Sequence, residues 1–339
     1  MLLIDGAYGE GGGQIVRTAV ALSVLTKQPI KITNIRANRP IPGLRPQHYT
    51  ALSCIQRICE AEVEGLSVHS TSLTFTPHDI KPGTYSFDIG TAGSMTLVFQ
   101  AILLSAFHST KPLTLKLRGG TDVRWAPSWD YFASVFLPLI SRIGIKTEPQ
   151  LIKRGYYPTG GGEAVLTIHP VDKLISLHTE ESQNFTDMYG IIHCANLPDH
   201  ISMRMKHAAI RIAMKHNLRS TIQINSVSSS SSGTGITVWS ASGPTILGST
   251  VLGEKTISAE VVGETAVNQL LQEINSGATI DEYAIDQILP YLVLAPKGSV
   301  CLIRGISNHT KTNMWLIKQF LDIDFEVTPQ QTAMRIVIK

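Results

Sequence analysis

Thr26–Arg39 (TKQPIKITNIRANR), Ser109–Asp122 (STKPLTLKLRGGTD) and Ala295–His309 (APKGSVCLIRGISNH) read alike. Each has a proline, a short alternating apolar/polar run, then an apolar residue followed by arginine: Arg36, Arg118 and Arg304. Alternation with period two is the mark of a strand with one buried face. Each run follows an apolar helix-like segment: GQIVRTAVALSVL (13–25), GSMTLVFQAILLSAF (93–107) and YAIDQILPYLVLA (283–295). Each is followed by a loop, a second helix-like segment and two more strand candidates. The unit reads β-α-β-α-β-β, three times over, and the fold class is α+β.

Spacing adds an insertion. Arg36 and Arg118 are 82 residues apart, Arg118 and Arg304 are 186 apart, and the excess of 104 lies between the second and third units. The second unit's last strand is expected at EAVLTIHP, ending at Pro170, and the third unit's first strand at Leu174–His178. A smaller α+β domain is therefore expected at 180–276, with a Ser-rich loop, Ser228–Thr234, between strand-like runs. The repeats take 1–179 and 277–339.

Composition excludes several classes. Of 339 residues 43% are hydrophobic and only 16% charged, with a net charge of +3, which argues against disorder and against a strongly basic nucleic-acid coat. No apolar run reaches the roughly 18 residues a membrane span needs. The first residues carry no basic segment or cleavage site, and four sparse cysteines without C-x-x-C make no disulfide framework. A cytoplasmic protein is the expectation.

Equivalent repeats gather equivalent positions. Arg17 stands 19 residues before Arg36, Gln100 18 before Arg118, and Asp286 and Gln287 18 and 17 before Arg304. Polar groups on apolar helices must be paired or solvated. Two readings follow: hydrogen bonding between repeats, or a ligand site built from helix starts, which suit anions. Glycine-rich turns, Gly9–Gln14 (GEGGGQ) and Gly90–Ser94 (GTAGS), precede the first two helices and let backbone N–H groups approach a phosphate. There is no Walker A motif, since Gly243–Thr250 (GPTILGST) lacks the lysine, and no G-x-G-x-x-G.

Residues 11–59 hold seven Lys/Arg and no Asp/Glu. The proline-stiffened loop RANRPIPGLRPQH (36–48) carries Arg36, Arg39 and Arg45 and closes on Gln47 and His48. Guanidinium forks match phosphate oxygens; the plainer reading is a solvated basic face. Glu10 is the carboxylate next to this region. It either pairs with Arg17 or holds a divalent ion such as Mg²⁺, which takes one or two carboxylates plus phosphate oxygens. Among eleven histidines, His69, His78, His169 and His178 sit near strand ends and none has metal-ligand spacing. His309 lies in the third repeat's loop, where the first repeat has its arginines. It is either inert or a nucleophile.

Arg154–Ala164, RGYYPTGGGEA, resembles the signature of RNA 3′-terminal phosphate cyclases: a basic residue and glycine, then Pro-x-Gly-Gly-Gly. DGAYGEGGGQIVRTA, IRANRPIPGLRPQH, GTAGSMTLVFQ, GGTDVRWAP, and EYAIDQ followed by SNHTKTN resemble that family in its order. The signature usually ends in Leu, Ile or Val where Ala164 stands, a packing position. The resemblance implies a fold similar to the C-terminal domain of translation initiation factor three and to enolpyruvyl transferases. It implies ATP as co-substrate, Mg²⁺ as the divalent ion and an RNA 3′-phosphate as substrate, converted to a 2′,3′-cyclic phosphate with release of AMP and pyrophosphate. His309 would be adenylylated, and adenine would lie between Tyr283 and Pro127 with Gln100, Asp286 and Gln287 beside it. Arg17, Arg36, Arg39 and Gln47 would meet phosphates, and Glu10 the metal. Every residue assigned to ATP lies outside 180–276, so the insertion is expected to be dispensable for adenylylation. The family's ribosome-biogenesis branch lacks the histidine and binds RNA without catalysis; an enolpyruvyl transferase would need no adenine pocket.

Overall fold

The computed structural model describes residues 1–339. The first repeat runs β1 (Leu2–Asp5), α1 (Gly13–Thr26), β2 (Ile30–Thr33), α2 (Pro46–Cys59), β3 (Glu62–Glu64) and β4 (Leu73–Thr76). The second runs β5 (Gly83–Asp88), α3 (Met95–Ala106) and β6 (Leu113–Gly119). It continues with α4 (Trp129–Tyr131), a π-helical turn at Phe132–Phe136, α5 (Leu137–Arg142), β7 (Thr147–Lys153) and β8 (Gly162–Ile168). After β9 (His178–Thr179) the chain leaves for β10 (Asp187–Ala195), α6 (Asp199–Lys215), β11 (Arg219–Val227), β12 (Gly233–Ser242), β13 (Thr245–Leu252) and α7 (Ala259–Ser276). It returns as α8 (Glu282–Leu292), β14 (Val300–Ile303), α9 (Asn308–Phe320), β15 (Phe325–Gln330) and β16 (Ala333–Ile338).

The repetition is carried by strand order. The sheets β1-β2-β4-β3, β5-β6-β8-β7 and β9-β14-β16-β15 share one topology, opening on a parallel pair and continuing antiparallel. Ile30–Thr33 buries Ile30 and Ile32 and exposes Lys31 and Thr33, as a half-buried strand must. Ten of the twelve residues of α3 are buried, so this helix, apolar all round, forms the centre of the shared core. The third repeat's first strand starts later than the expected Leu174. The Leu177 N–H goes to the Ser299 hydroxyl at 3.2 Å, so ladder pairing begins only at His178 opposite Val300.

The sheet β11-β10-β12-β13 carries α6 and α7 and packs an apolar cluster of its own around Met188, Ile192, Val238, Val262 and Leu270. It is nonetheless bound tightly to the repeats. Successive side chains of a strand face opposite ways, and β13 uses both faces: Leu247 enters the small cluster, Ile246 the large one. Gly248 permits the approach, since a Cβ there would lie 2.5 Å from Val135 and 3.2 Å from Tyr131.

A second seam runs through Arg154–Ala164. Buried Arg154 donates to Asp122 at 3.0 Å and to both oxygens of Asp130 at 2.8 Å. Tyr156 shares a 2.9 Å hydrogen bond with His193 Nδ1 of β10. This run thus works as an internal joint. Ala164, buried on β8, belongs to the core beside it.

Arg154→Ala leaves two buried carboxylates without their cation. It should cost about 3–5 kcal/mol of stability, measured by urea unfolding. Adding Asp122→Asn and Asp130→Asn should recover part of that loss.

Candidate active site

Glycines decide how closely the first repeat meets the third. Gly9 has φ of 58°, a conformation costly for other residues. A Cβ there would also lie 2.4 Å from the Thr312 hydroxyl oxygen on α9. Beside it Tyr8 stacks on Trp315 of α9, with ring centroids 3.8 Å apart. At Gly13 a Cβ would sit 2.0 Å from His48 Nε2. The start of α1 is thereby wedged between α9 and the basic loop. Gly12 caps α1 without a side-chain bond, so the first-turn N–H groups stay open to an anion.

The opposite wall is α8. Asp281 caps it, accepting from the N–H groups of Tyr283 (3.1 Å) and Ala284 (2.9 Å). It also accepts from the Tyr131 hydroxyl (2.6 Å) and Gly248 N–H (3.0 Å). Pro290 lies inside α8 and has no N–H, which deprives the Asp286 carbonyl of its helical partner. Asn313 of α9 replaces it, donating Nδ2–H at 2.7 Å. The Asp286 carboxylate accepts from the hydroxyls of Ser307, at 2.9 and 3.1 Å, and Thr310. Burial pushes its carboxyl up to about 6, opposed by those hydroxyls and by His309. Gln100 of α3 donates to Gln287 Oε1 at 2.5 Å, so the aligned polar positions of the second and third repeats do touch.

These walls enclose a cleft of about 480 Å³ lined by Arg17, Gln100, Pro127, Tyr283, Asp286, Gln287 and His309. Thr250 and Trp125 line it too; neither stood out in the sequence. Thr250 lies on β13 and bonds Ser128 at 3.0 Å. Together with the Gly248–Asp281 bond, this ties the insertion to the cleft: excising it removes part of the cleft wall and a donor that holds α8, which weighs against the expectation that adenylylation can spare it.

His309 stands at the first turn of α9, whose cap Ser307 accepts from Thr310 N–H at 2.9 Å. Its Nδ1 lies 2.5 Å from Gln14 Oε1 and its Nε2 3.1 Å from Glu10 Oε2. Glu10 Oε2 also lies 3.5 Å from Arg39. Glu10 therefore pairs with His309 and Arg39, not with Arg17. Gln14, overlooked in the sequence, sits three residues before Arg17, on the same face of α1.

The cationic groups divide. Arg17 lines the cleft, and burial alone lowers its guanidinium to about 10, so it is a charged group with no carboxylate beside it. Arg36 uses Nη1 on the carbonyls of Ile41 (2.8 Å) and Gly43 (2.9 Å), which braces the basic loop. Gln47 accepts from Ser94 N–H at 3.4 Å and joins that loop to the second glycine turn. Neither Arg36 nor Gln47 lines the cleft. His48 is buried, and burial beside Arg17, Arg36 and Arg45 lowers its imidazole to about 2. Its Nδ1 accepts from Arg45 N–H at 3.2 Å, so it stays neutral and closes the start of α2. The repeated arginines diverge: Arg118 pairs with Asp88 at 3.6 Å, and Arg304 with Glu273 and Glu282.

Glu10 brings a lone carboxylate. The protein's one cluster of three potential metal ligands is Asp122–Asp130–His193, which Arg154 already fills. A lone carboxylate suits Mg²⁺ only when phosphate oxygens and water complete the shell. Glu10 next to Arg39 and the open start of α1 fits such a phosphate-borne ion and no protein-only cage.

The family described as RNA 3′-terminal phosphate cyclase matches residues 8–327. Proteins named RNA 3′-terminal phosphate cyclase are similar over nearly the whole chain. That of Methanopyrus kandleri is 41% identical, covering 96% of this chain and 95% of its own. That of Methanosarcina barkeri is 42% identical over 98% of each. That of Pyrococcus furiosus is 41% identical over 96% and 95%. No helix is long and apolar enough to cross a membrane.

Two outcomes follow from the cleft's charges. Pyrophosphate should raise the melting temperature of the unaltered protein. Arg17→Met should melt no lower without ligand, because it removes an uncompensated charge, yet bind pyrophosphate about 1.5–3 kcal/mol more weakly; thermal melts across a pyrophosphate titration check both. The Asp286 carboxyl is raised from 3.8 to about 6, so the folded state holds its proton more tightly than the unfolded state. Its contribution to stability should fall as pH rises from about 4 to 6 and level off above. Urea unfolding across that range should show a shallower fall for Asp286→Asn.

Proposed function

The chain belongs to the RNA 3′-terminal phosphate cyclase family, and on that footing we propose that it cyclises RNA 3′-phosphates at the expense of ATP through an adenylylated His309. The observation that carries this reading is the shared cleft: His309, the unpaired Arg17 and the side chains that this reading assigns to adenine line one cavity. Tyr283 and Pro127 offer surfaces on which a purine stacks, and Gln100, Asp286 and Gln287 offer polar contacts at its edge. Three carriers of phosphate charge stand near: Arg17, the open start of α1, and Arg39 beside Glu10.

The resting contacts suggest how the histidine is readied. Both ring nitrogens face oxygens. A proton on Nδ1, donated to Gln14, leaves the Nε2 lone pair for attack, provided Glu10 lets go of Nε2. Glu10 would hold the divalent ion, which lowers the charge of the departing pyrophosphate. His309 Nε2 then forms a bond to the α-phosphorus while the bond to pyrophosphate breaks, its electron pair leaving with pyrophosphate. An oxygen of the RNA 3′-phosphate next takes the AMP, freeing the imidazole. Finally the neighbouring 2′-oxygen attacks the activated phosphorus, loses its proton to solvent and expels AMP. Arg17 and Arg39 offset the charge that builds up on the transferring groups. Arg36 and Gln47 serve this reading by fixing the loop that presents Arg39.

The test uses α-labelled ATP with Mg²⁺. His309→Asn should lose covalent label and cyclisation while still binding ATP. Label retained by His309→Asn would overturn the nucleophile assignment, and loss of label with cyclisation intact would overturn the covalent route. An unaltered protein that binds RNA but never takes label would instead fit the non-catalytic ribosome-biogenesis branch. Arg39→Ala should slow AMP transfer to RNA more than label uptake, by about 1.5–3 kcal/mol in the second step, read by single-turnover assays of each half-reaction.

A further inference from the structure

Trp125 is 94% exposed, the most exposed large apolar side chain in the protein, although it lines the cleft that holds His309. The other three tryptophans, Trp129, Trp239 and Trp315, are buried or half-buried. Its backbone has φ of 60°, a region that bulky residues seldom adopt and that costs about 1–3 kcal/mol. Such a residue persists only where its surroundings hold it, and here they do. On one side Asp122 is fixed by Arg154 and Thr121, and Arg124 pairs with Glu254. On the other, the Pro127 carbonyl accepts from the Thr96 hydroxyl at 2.8 Å. A rigid loop thus displays a large aromatic to solvent at the cleft, at a cost in exposed apolar surface that packing does not recover.

We propose that the Trp125 indole is a stacking platform for a base near the 3′ end of the RNA substrate. This rests on the cyclase reading and extends it to polynucleotide binding. The adenine contacts of that reading, Tyr283 and Pro127, are both outside this indole, which leaves its face free for a second ring. Stacking on an aromatic needs no particular base because every base has a π-face. It suits an enzyme that must find an RNA end whatever its sequence, on a chain whose net charge is only +3. Arg17 in the cleft and Arg39 beside Glu10 supply charge for the terminal phosphate; the indole supplies purchase on the nucleoside part.

The experiment uses the full-length protein and a short RNA ending in a 3′-phosphate, without ATP. Trp125 emission should be quenched on titration, and the signal should be absent in Trp125→Ala. Trp125→Ala should bind this RNA roughly 5- to 150-fold more weakly, and Trp125→Phe should regain most of the loss. An RNA made abasic at its last or penultimate nucleotide should bind the unaltered protein weakly and be indifferent to Trp125→Ala. Equal RNA binding by Trp125→Ala and the unaltered protein would overturn the proposal. So would a loss confined to the ATP dependence of label uptake, which would make the indole a lid on adenine. Failure of the cyclase reading shows separately, as an unaltered protein that takes no label from ATP.

Discussion

One buried carboxylate holds the site together. Asp281 accepts from two N–H groups of its own helix, from Tyr131 of the second repeat and from Gly248 of the inserted sheet. Burial raises it to about 6 against the pull of those donors, so it is ionised near neutral pH and its charge is spread over four hydrogen bonds. Those bonds fix the position of α8 relative to α4 and β13. Tyr283, Asp286 and Gln287 are placed only because α8 is. The insertion, which supplies none of the side chains assigned to the nucleotide, is a structural member of the site for the same reason.

The architecture was legible because it is repeated. Proline, alternating strand and apolar-Arg recur in register, and the sheets recur with the same strand order. The polar positions on three apolar helices were legible too, and two of them, Gln100 and Gln287, are bonded to each other. The aligned arginines mislead in one respect. They mark the end of equivalent strands, but Arg36 braces a loop, Arg118 pairs at the surface and Arg304 binds the insertion's last helix. Equivalent position fixes where a side chain starts, and the neighbours that differ between repeats decide what it meets.

What stayed hidden depends on contacts between distant segments. Gln14 meets His309 across 295 positions of chain, and no local pattern announces that. Pro290 did carry a signal: a proline within a helical run implies an orphaned carbonyl four residues earlier, which is that of Asp286. The donor, Asn313, could not be read from the same signal. The signature run carried the resemblance without announcing a role, and the structure gives it one: Arg154 is consumed by Asp122 and Asp130. The run combines a buried ionic cluster inside the second repeat with hydrogen bonds from Tyr156 and Thr159 to the insertion.

The proposed chemistry turns on which atom receives the nucleotide. The intact protein should be incubated with ATP and magnesium, digested without acid, and its peptides sequenced by mass spectrometry. AMP on the imidazole of His309, and on no other residue, is the predicted result. AMP on a lysine or another histidine, or RNA cyclisation with no protein-bound AMP at any time, would contradict it.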